Sequence, residues 1–212
     1  MNFLLKSCWL DISSLRLRYS TITGNAMKFI FAFCICICSL SAYAGPTVIL
    51  DYDVKDKQHV AVKETHNVLG LSINTTVSDN LVAGIKFESE WVKEKDKPET
   101  LTQLQFSYVL PKIWNIQPSI NMALGEKYKV GNSFEYYVIG SSFKVNVATD
   151  FSVGGSVRLR SPFDNSIAYK TLEYSAGVEY NLTKNLALGA KYKIERGDSD
   201  YNTVNFNVKY VF

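Results

Sequence analysis

The last eleven residues, Asn202 to Phe212, alternate between two kinds of side chain. Val204, Phe206, Val208, Tyr210 and Phe212 share one parity; Thr203, Asn205, Asn207 and Lys209 share the other. Side chains on a strand change face at every residue, so this segment predicts a strand with one apolar and one polar face. The same period runs upstream. Over 186–196, Leu186, Leu188, Ala190, Tyr192 and Ile194 oppose Ala187, Gly189, Lys191, Lys193 and Glu195. Over 170–182, Leu172, Tyr174, Val178 and Tyr180 oppose Glu173, Ser175, Gly177 and Glu179, and over 151–160, Phe151, Val153, Val157 and Leu159 oppose Ser152, Ser156, Arg158 and Arg160.

Ten such segments are predicted, near 46–54, 61–77, 81–92, 101–110, 116–127, 134–147, 151–160, 170–182, 186–196 and 202–212. Short polar punctuators of the kind that close hairpins separate alternate pairs: Ser78-Asp79-Asn80, Pro111-Lys112 with Asn115, Ala148-Thr149-Asp150 and Thr183-Lys184-Asn185. Longer, more charged breaks separate the others: Lys55 to His59, Lys93 to Thr100, Lys129 to Ser133, Ser161 to Tyr169 and Gly197 to Tyr201. Strict alternation of tight turns with longer loops, and an even strand number, are features of barrels that span outer membranes.

A soluble sandwich would show the same alternation. Aromatics near strand ends on the apolar face (Trp91, Trp114, Tyr108, Phe151, Tyr180, Phe212) favour lipid, as interfacial girdles do. Small and charged residues on the other face suit a narrow polar interior. The expected fold is therefore all-β: a transmembrane antiparallel up-and-down β-barrel of about 10 strands, with 12 or 8 as alternatives. The aromatic-rich ending on Phe212 resembles the C-terminal signal of bacterial outer-membrane barrels, which implies recognition of the last strand by the barrel-assembly machinery.

The N-terminus changes the reckoning. Residues 27–44 run from Met27-Lys28 through an apolar stretch, Phe29 to Leu40, to Ala42-Tyr43-Ala44, which reads as a secretory signal peptide cleaved before Gly45. The apolar stretch falls short of the roughly 20 residues a membrane-spanning helix needs. Residues 1–44 are expected to be an upstream extension plus this signal, and 45–212 a single barrel domain exported to the outer membrane of a Gram-negative bacterium. All four cysteines (Cys8, Cys34, Cys36, Cys38) fall before Gly45, so no disulfide or thiol chemistry is expected in the barrel. Removal of residues 1–44 also turns the formal net charge of +3 into zero, with 19 basic and 19 acidic residues left. Nothing in that balance points to nucleic acid.

If the polar face lines the lumen, eight cations (Lys86, Lys127, Lys144, Arg158, Arg160, Lys191, Lys193, Lys209) meet eight carboxylates (Asp51, Asp53, Glu64, Glu88, Glu90, Glu173, Glu179, Glu195). Charges enclosed at low dielectric are costly unless paired, so mutual compensation is one expectation. A charged lining that selects solutes is the other. The candidate solute contacts are Arg158, Arg160, Lys144, Lys86, Lys191, Lys193, Glu88, Glu173 and Glu179. Arg158-Leu159-Arg160 places two permanently charged inward groups on one strand, expected near the external mouth, with Glu173 and Glu179 as their possible neutralisers.

Catalysis lacks a constellation. Past Gly45 only His59 and His66 are present, and Val68 stands where a nucleophile two residues after His66 would resemble the outer-membrane deacylases. There is no phosphate-binding glycine loop and no metal-ligand spacing, so no enzyme and no cofactor is expected.

Leu50-Asp51-Tyr52, the hairpin Leu71 to Trp91 around Ser78-Asp79-Asn80, and Val157-Arg158-Leu159-Arg160 resemble the oligogalacturonate-specific porin family. That resemblance implies passive diffusion of small, anionic saccharides past the inward arginines. The alternative is a non-conducting surface barrel acting in adhesion, interaction or membrane integrity. The expected partners are outer-membrane lipid, the assembly machinery and small saccharides.

Overall fold

The computed structural model describes residues 45–58, 64–92, 98–129, 132–198 and 200–212. The expected signal peptide, the four cysteines and His59 lie outside the described residues. Ten strands form: β1 (Thr47–Lys57), β2 (Thr65–Ser78), β3 (Leu81–Val92), β4 (Glu99–Val109), β5 (Ile116–Lys129), β6 (Asn132–Asn146), β7 (Phe151–Pro162), β8 (Thr171–Asn181), β9 (Leu186–Gly197) and β10 (Tyr201–Val211). Each pairs antiparallel with its sequence neighbour, and β1 pairs with β10 to close the barrel. Both ends of the described barrel sit on one rim, where the Phe212 amide donates to the Pro46 carbonyl at 3.1 Å.

Closure leaves no strand edge, so the ladders pair within the sheet, apart from a register shift between Thr76 and Ser78 close to the terminal rim, as a wall facing lipid requires. The apolar parity points outward. Leu50, Leu69, Ile120, Leu124, Val178, Leu188, Phe206 and Val208 are exposed on the outer surface. Aromatics ring this band toward both rims: Tyr108, Tyr180 and Tyr210 at the terminal rim, Trp91 and Tyr174 toward the other. Inward positions at mid-barrel are enclosed, with Asp53, Glu173, Lys193, Glu195, Thr203 and Asn205 all buried.

Several strand ends run past the alternation's forecast, among them β4 from Glu99 and β7 to Pro162, and two of the differences fall on charged residues. Lys55 and Lys57 continue β1 in register with Thr203 and Tyr201 of β10. Their charge suggested a loop, yet both take the inward parity and find partners in the lumen. The break expected over Lys129 to Ser133 shrinks to two residues, because β5 and β6 stay paired out to Lys129↔Asn132. Short and long connections therefore do not strictly alternate. At the terminal rim the β4–β5 turn is itself long. It is pinched by paired hydrogen bonds between Ile113 and Ile116, with Trp114 at φ 54 and almost fully exposed. A bulky residue in that region is uncommon and marks a tight turn.

Candidate functional site: a charged lumen divided by ion pairs

Among the described residues, two cavities open within the lumen. One of about 440 Å³, a vestibule on the terminal side, is lined largely by small neutral polar groups such as Ser72, Asn74, Gln105, Asn121, Ser142, Ser156 and Ser175. Among these walls stand five cations (Lys86, Lys144, Arg158, Lys191, Lys193) and two carboxylates, Asp51 and Glu179. The second, of about 200 Å³, lies toward the opposite mouth and is dense in charge. Its five cations (Lys55, Lys57, Lys127, Lys129, Arg160) match five glutamates (Glu64, Glu88, Glu90, Glu99, Glu195) around His66, Tyr169 and Tyr201. The two cavities share no lining residue.

Between them lies a septum built by cross-strand register. Arg158 of β7 stands opposite Glu173 of β8, and its Nε donates to Glu173 Oε1 at 3.0 Å while a second guanidinium nitrogen grips the same oxygen. Lys193 of β9 reaches past β10 to Asp53 of β1 at 2.7 Å. Asn205 of β10, trapped beneath that bridge, donates to both Asp53 and Asp51, and Asn207 donates to Asn205 at 3.1 Å. Lys86 pairs with Glu88 on its own strand at 2.7 Å. Tyr136, fully buried, donates its hydroxyl to Gln103 at 3.1 Å. Its ring lies over Gly125, directly opposite on β5, where a Cβ would come within 2.5 Å of the ring. Only glycine leaves that space, which is the role of glycine where another group approaches the backbone closely.

The septum is polarised. Lys86, Arg158 and Lys193 contribute to the vestibule wall, whereas Glu88 faces the mouth cavity and Asp53 and Glu173 line neither. The vestibule therefore carries an excess of cations, and the mouth cavity is balanced.

At the mouth, His66 binds Glu90 through Nδ1 at 2.8 Å and approaches Glu64 through Nε2 at 3.2 Å, with Tyr201 edge-on to its ring. Lys127 bridges Glu90 and Glu99. Glu64 sits outside the strands, and its hydrogen bond from Lys57 holds the carboxyl below the usual carboxylate range. Tyr169 folds inward from the β7–β8 connection and packs edge-on against Phe134 and Tyr136. Lys127 and Arg160 stand over its ring at 5.3 and 5.4 Å. Such cation–aromatic contacts strengthen where water is excluded.

The candidate residues are thus distributed, not gathered. Arg158 and Arg160 do not share an external mouth: they flank the septum on opposite sides, because a two-residue step along a tilted strand carries a side chain past the mid-barrel layer. Glu173 neutralises Arg158, and Glu195 lies 3.8 Å from Arg160. Glu179 does not serve the arginines; it sits near the terminal rim and pairs with Lys144 at 2.7 Å and Lys209 at 2.8 Å. The neutral members Tyr136, Gln103, Asn205 and Asn207 escape a reading that looks for charge, although their inward parity was visible. Tyr169 escapes because a loop residue has no parity to read.

No family model and no curated protein sequence matches the chain. Among solved structures, an outer membrane channel from Pseudomonas putida F1 is similar over 80% of this chain and 96% of its own, at 9% identity and a TM-score of 0.51. The fold is that of an outer-membrane β-barrel. The KdgM porin is similar over 77% of this chain and 99% of its own, at 15% identity and a TM-score of 0.47. The NanC porin is similar over 77% and 100%, at 11% identity and a TM-score of 0.47.

Proposed function

We propose that this chain is a narrow, passive channel of the bacterial outer membrane for small hydrophilic solutes, with a preference for anions such as acidic saccharides. The observation that carries this reading is the vestibule: a cavity of about 440 Å³ whose lining cations outnumber its lining carboxylates five to two, because the partners of Lys86, Arg158 and Lys193 stand outside its wall. Cations turned toward a cavity with low-dielectric walls, their carboxylates set behind them, focus a field on entering solutes. The septum is the constriction, made of side chains and not of backbone, so passage requires only that ion pairs part. Placement in the outer membrane rests on the continuous apolar outer band and the girdles around it. The last strand, β10, offers the assembly machinery its apolar outward row, and no catalytic role enters.

Planar-bilayer recording of the membrane-extracted protein is the test. Small channel steps are expected, with a reversal potential displaced to the anion side in a salt gradient. Raising salt should weaken that displacement, because the Debye length shrinks to about 3 Å at 1 M. A second reading, a non-conducting barrel acting through its surface, is favoured by the absence of any lining residue common to the two cavities. Bilayers without channel steps would establish that reading instead. Export is tested separately. N-terminal sequencing of the same material should begin at Gly45, and a start upstream of Met27 would refute cleavage of the segment 27–44.

A further inference from the structure

The inward cations differ in one respect that their parity does not show. Lys86, Lys127, Lys144, Arg158, Lys193 and Lys209 each have a carboxylate within 3.1 Å. Arg160 has Glu195 and two tyrosine rings, and Lys55 stands over the ring of Tyr201. Lys191 has none of these. Among the described inward residues it is the lysine with neither a carboxylate within ion-pair distance nor an aromatic ring beneath its ammonium.

Its surroundings are built for extension into the lumen. Lys191 of β9 stands opposite Gly177 of β8, and a Cβ at Gly177 would meet Lys191 Cγ at 2.5 Å. The glycine leaves a channel along which the lysine stem lies, and the side chain remains exposed although it points into the barrel. Asp51 lines the same vestibule outside ion-pair distance and is engaged by Asn205. The hydroxyls of Ser156 and Ser175, bonded to each other at 2.7 Å, stand on the same vestibule wall. Their mutual bond uses one of two protons and leaves the other to donate.

We propose that Lys191 is the seat at which the vestibule holds a small oxyanion, a carboxylate or phosphate group, and that it, not the septal arginines, determines the anion preference. The transport half of this proposal rests on the channel reading above; the binding half does not. An arginine clasped by glutamate presents a nearly neutral pair to a passing solute. The Lys191 ammonium, with Asp51 beyond ion-pair distance and engaged by Asn205, is clasped by no carboxylate, and an entering anion gains that contact. Lysine suits such a transient seat, being a compact and strongly hydrated point charge with three donors and not a rigid fork.

Two measurements decide the matter. In the first, the folded protein extracted from membranes is treated with trinitrobenzenesulfonate, an anionic amine reagent, and mapped by mass spectrometry. The reagent needs an amine that it can reach, and an ammonium clasped by a carboxylate is shielded from it. Lys191 should be labelled several-fold faster than Lys86, Lys144 or Lys193, and inorganic phosphate should slow that labelling selectively. Labelling of Lys191 no faster than of Lys193, or indifferent to phosphate, would overturn the seat. In the second, reversal potentials are compared for Lys191→Gln and for the charge-neutral double substitution Arg158→Gln with Glu173→Gln. The first should abolish the anion preference and the second should keep it; the opposite pattern returns selectivity to the arginine. A wild-type barrel without channel steps overturns the channel reading, and the labelling still decides whether Lys191 binds.

Discussion

Replacing Lys193 by glutamine will destabilise the barrel by about 3–5 kcal/mol, the range for leaving one member of a buried ion pair without its partner. The pair it forms with Asp53 is the most enclosed ion pair among the described residues, with side chains 10% and 4% exposed and 2.7 Å between the charged atoms. Asn205 still donates to Asp53 after the change, but an amide offset against a full carboxylate charge leaves most of the desolvation unmet. Adding Asp53→Asn removes that charge and should recover most of the loss. Urea titrations of refolding into lipid vesicles, run as a double-mutant cycle, measure both effects. A loss below about 1 kcal/mol for Lys193→Gln would be the behaviour of a solvated pair. It would mean that water passes freely through mid-barrel and that the septum does not divide the lumen.

That cycle also shows why the site was only half legible in the sequence. Parity placed Lys193, Asp53, Arg158 and Glu173 on the inner wall, because period-two alternation survives any register. It could not pair them. Asp53 and Lys193 are 140 residues apart in the chain and meet only because β10 closes the barrel between them. Glu173 and Glu179 share a face of β8, yet one meets Arg158 at mid-barrel and the other meets Lys144 and Lys209 near the rim. Height in a barrel follows from strand stagger, which alternation does not encode. Strand number was legible for the opposite reason: each strand is delimited by local turn chemistry. Where that chemistry was weak, at Lys55 to Lys57 and around Lys129, charge was mistaken for a loop, because a barrel with a polar lumen buries residues that elsewhere mark the surface. The lone standing of Lys191 was not legible at all. It is a property of which carboxylates the stagger spends on its neighbours.

Arginine at position 190 will be far more damaging than arginine on the vestibule wall. Ala190 takes the outward parity of β9, opposite Val178 of β8 and Phe206 of β10, both exposed on the lipid-facing surface. An arginine there near the bilayer midplane costs on the order of 2–4 kcal/mol. The comparison position must point inward and have room. Ala187 points inward but is only 2% exposed, so a long side chain there would clash, and its cost would report packing and not lipid. Gln105 is the better control. It lines the vestibule and is bonded to Asn74, and arginine replaces one long polar side chain by another within reach of water. Gln105→Arg should therefore cost less than about 1 kcal/mol, within the range of an ordinary solvated substitution. Folding free energies of Ala190→Arg and Gln105→Arg in the same vesicles supply the check. Equal losses would place lipid and lumen on the wrong sides of the wall, and the cation excess of the vestibule would then face hydrocarbon, an arrangement no barrel could sustain.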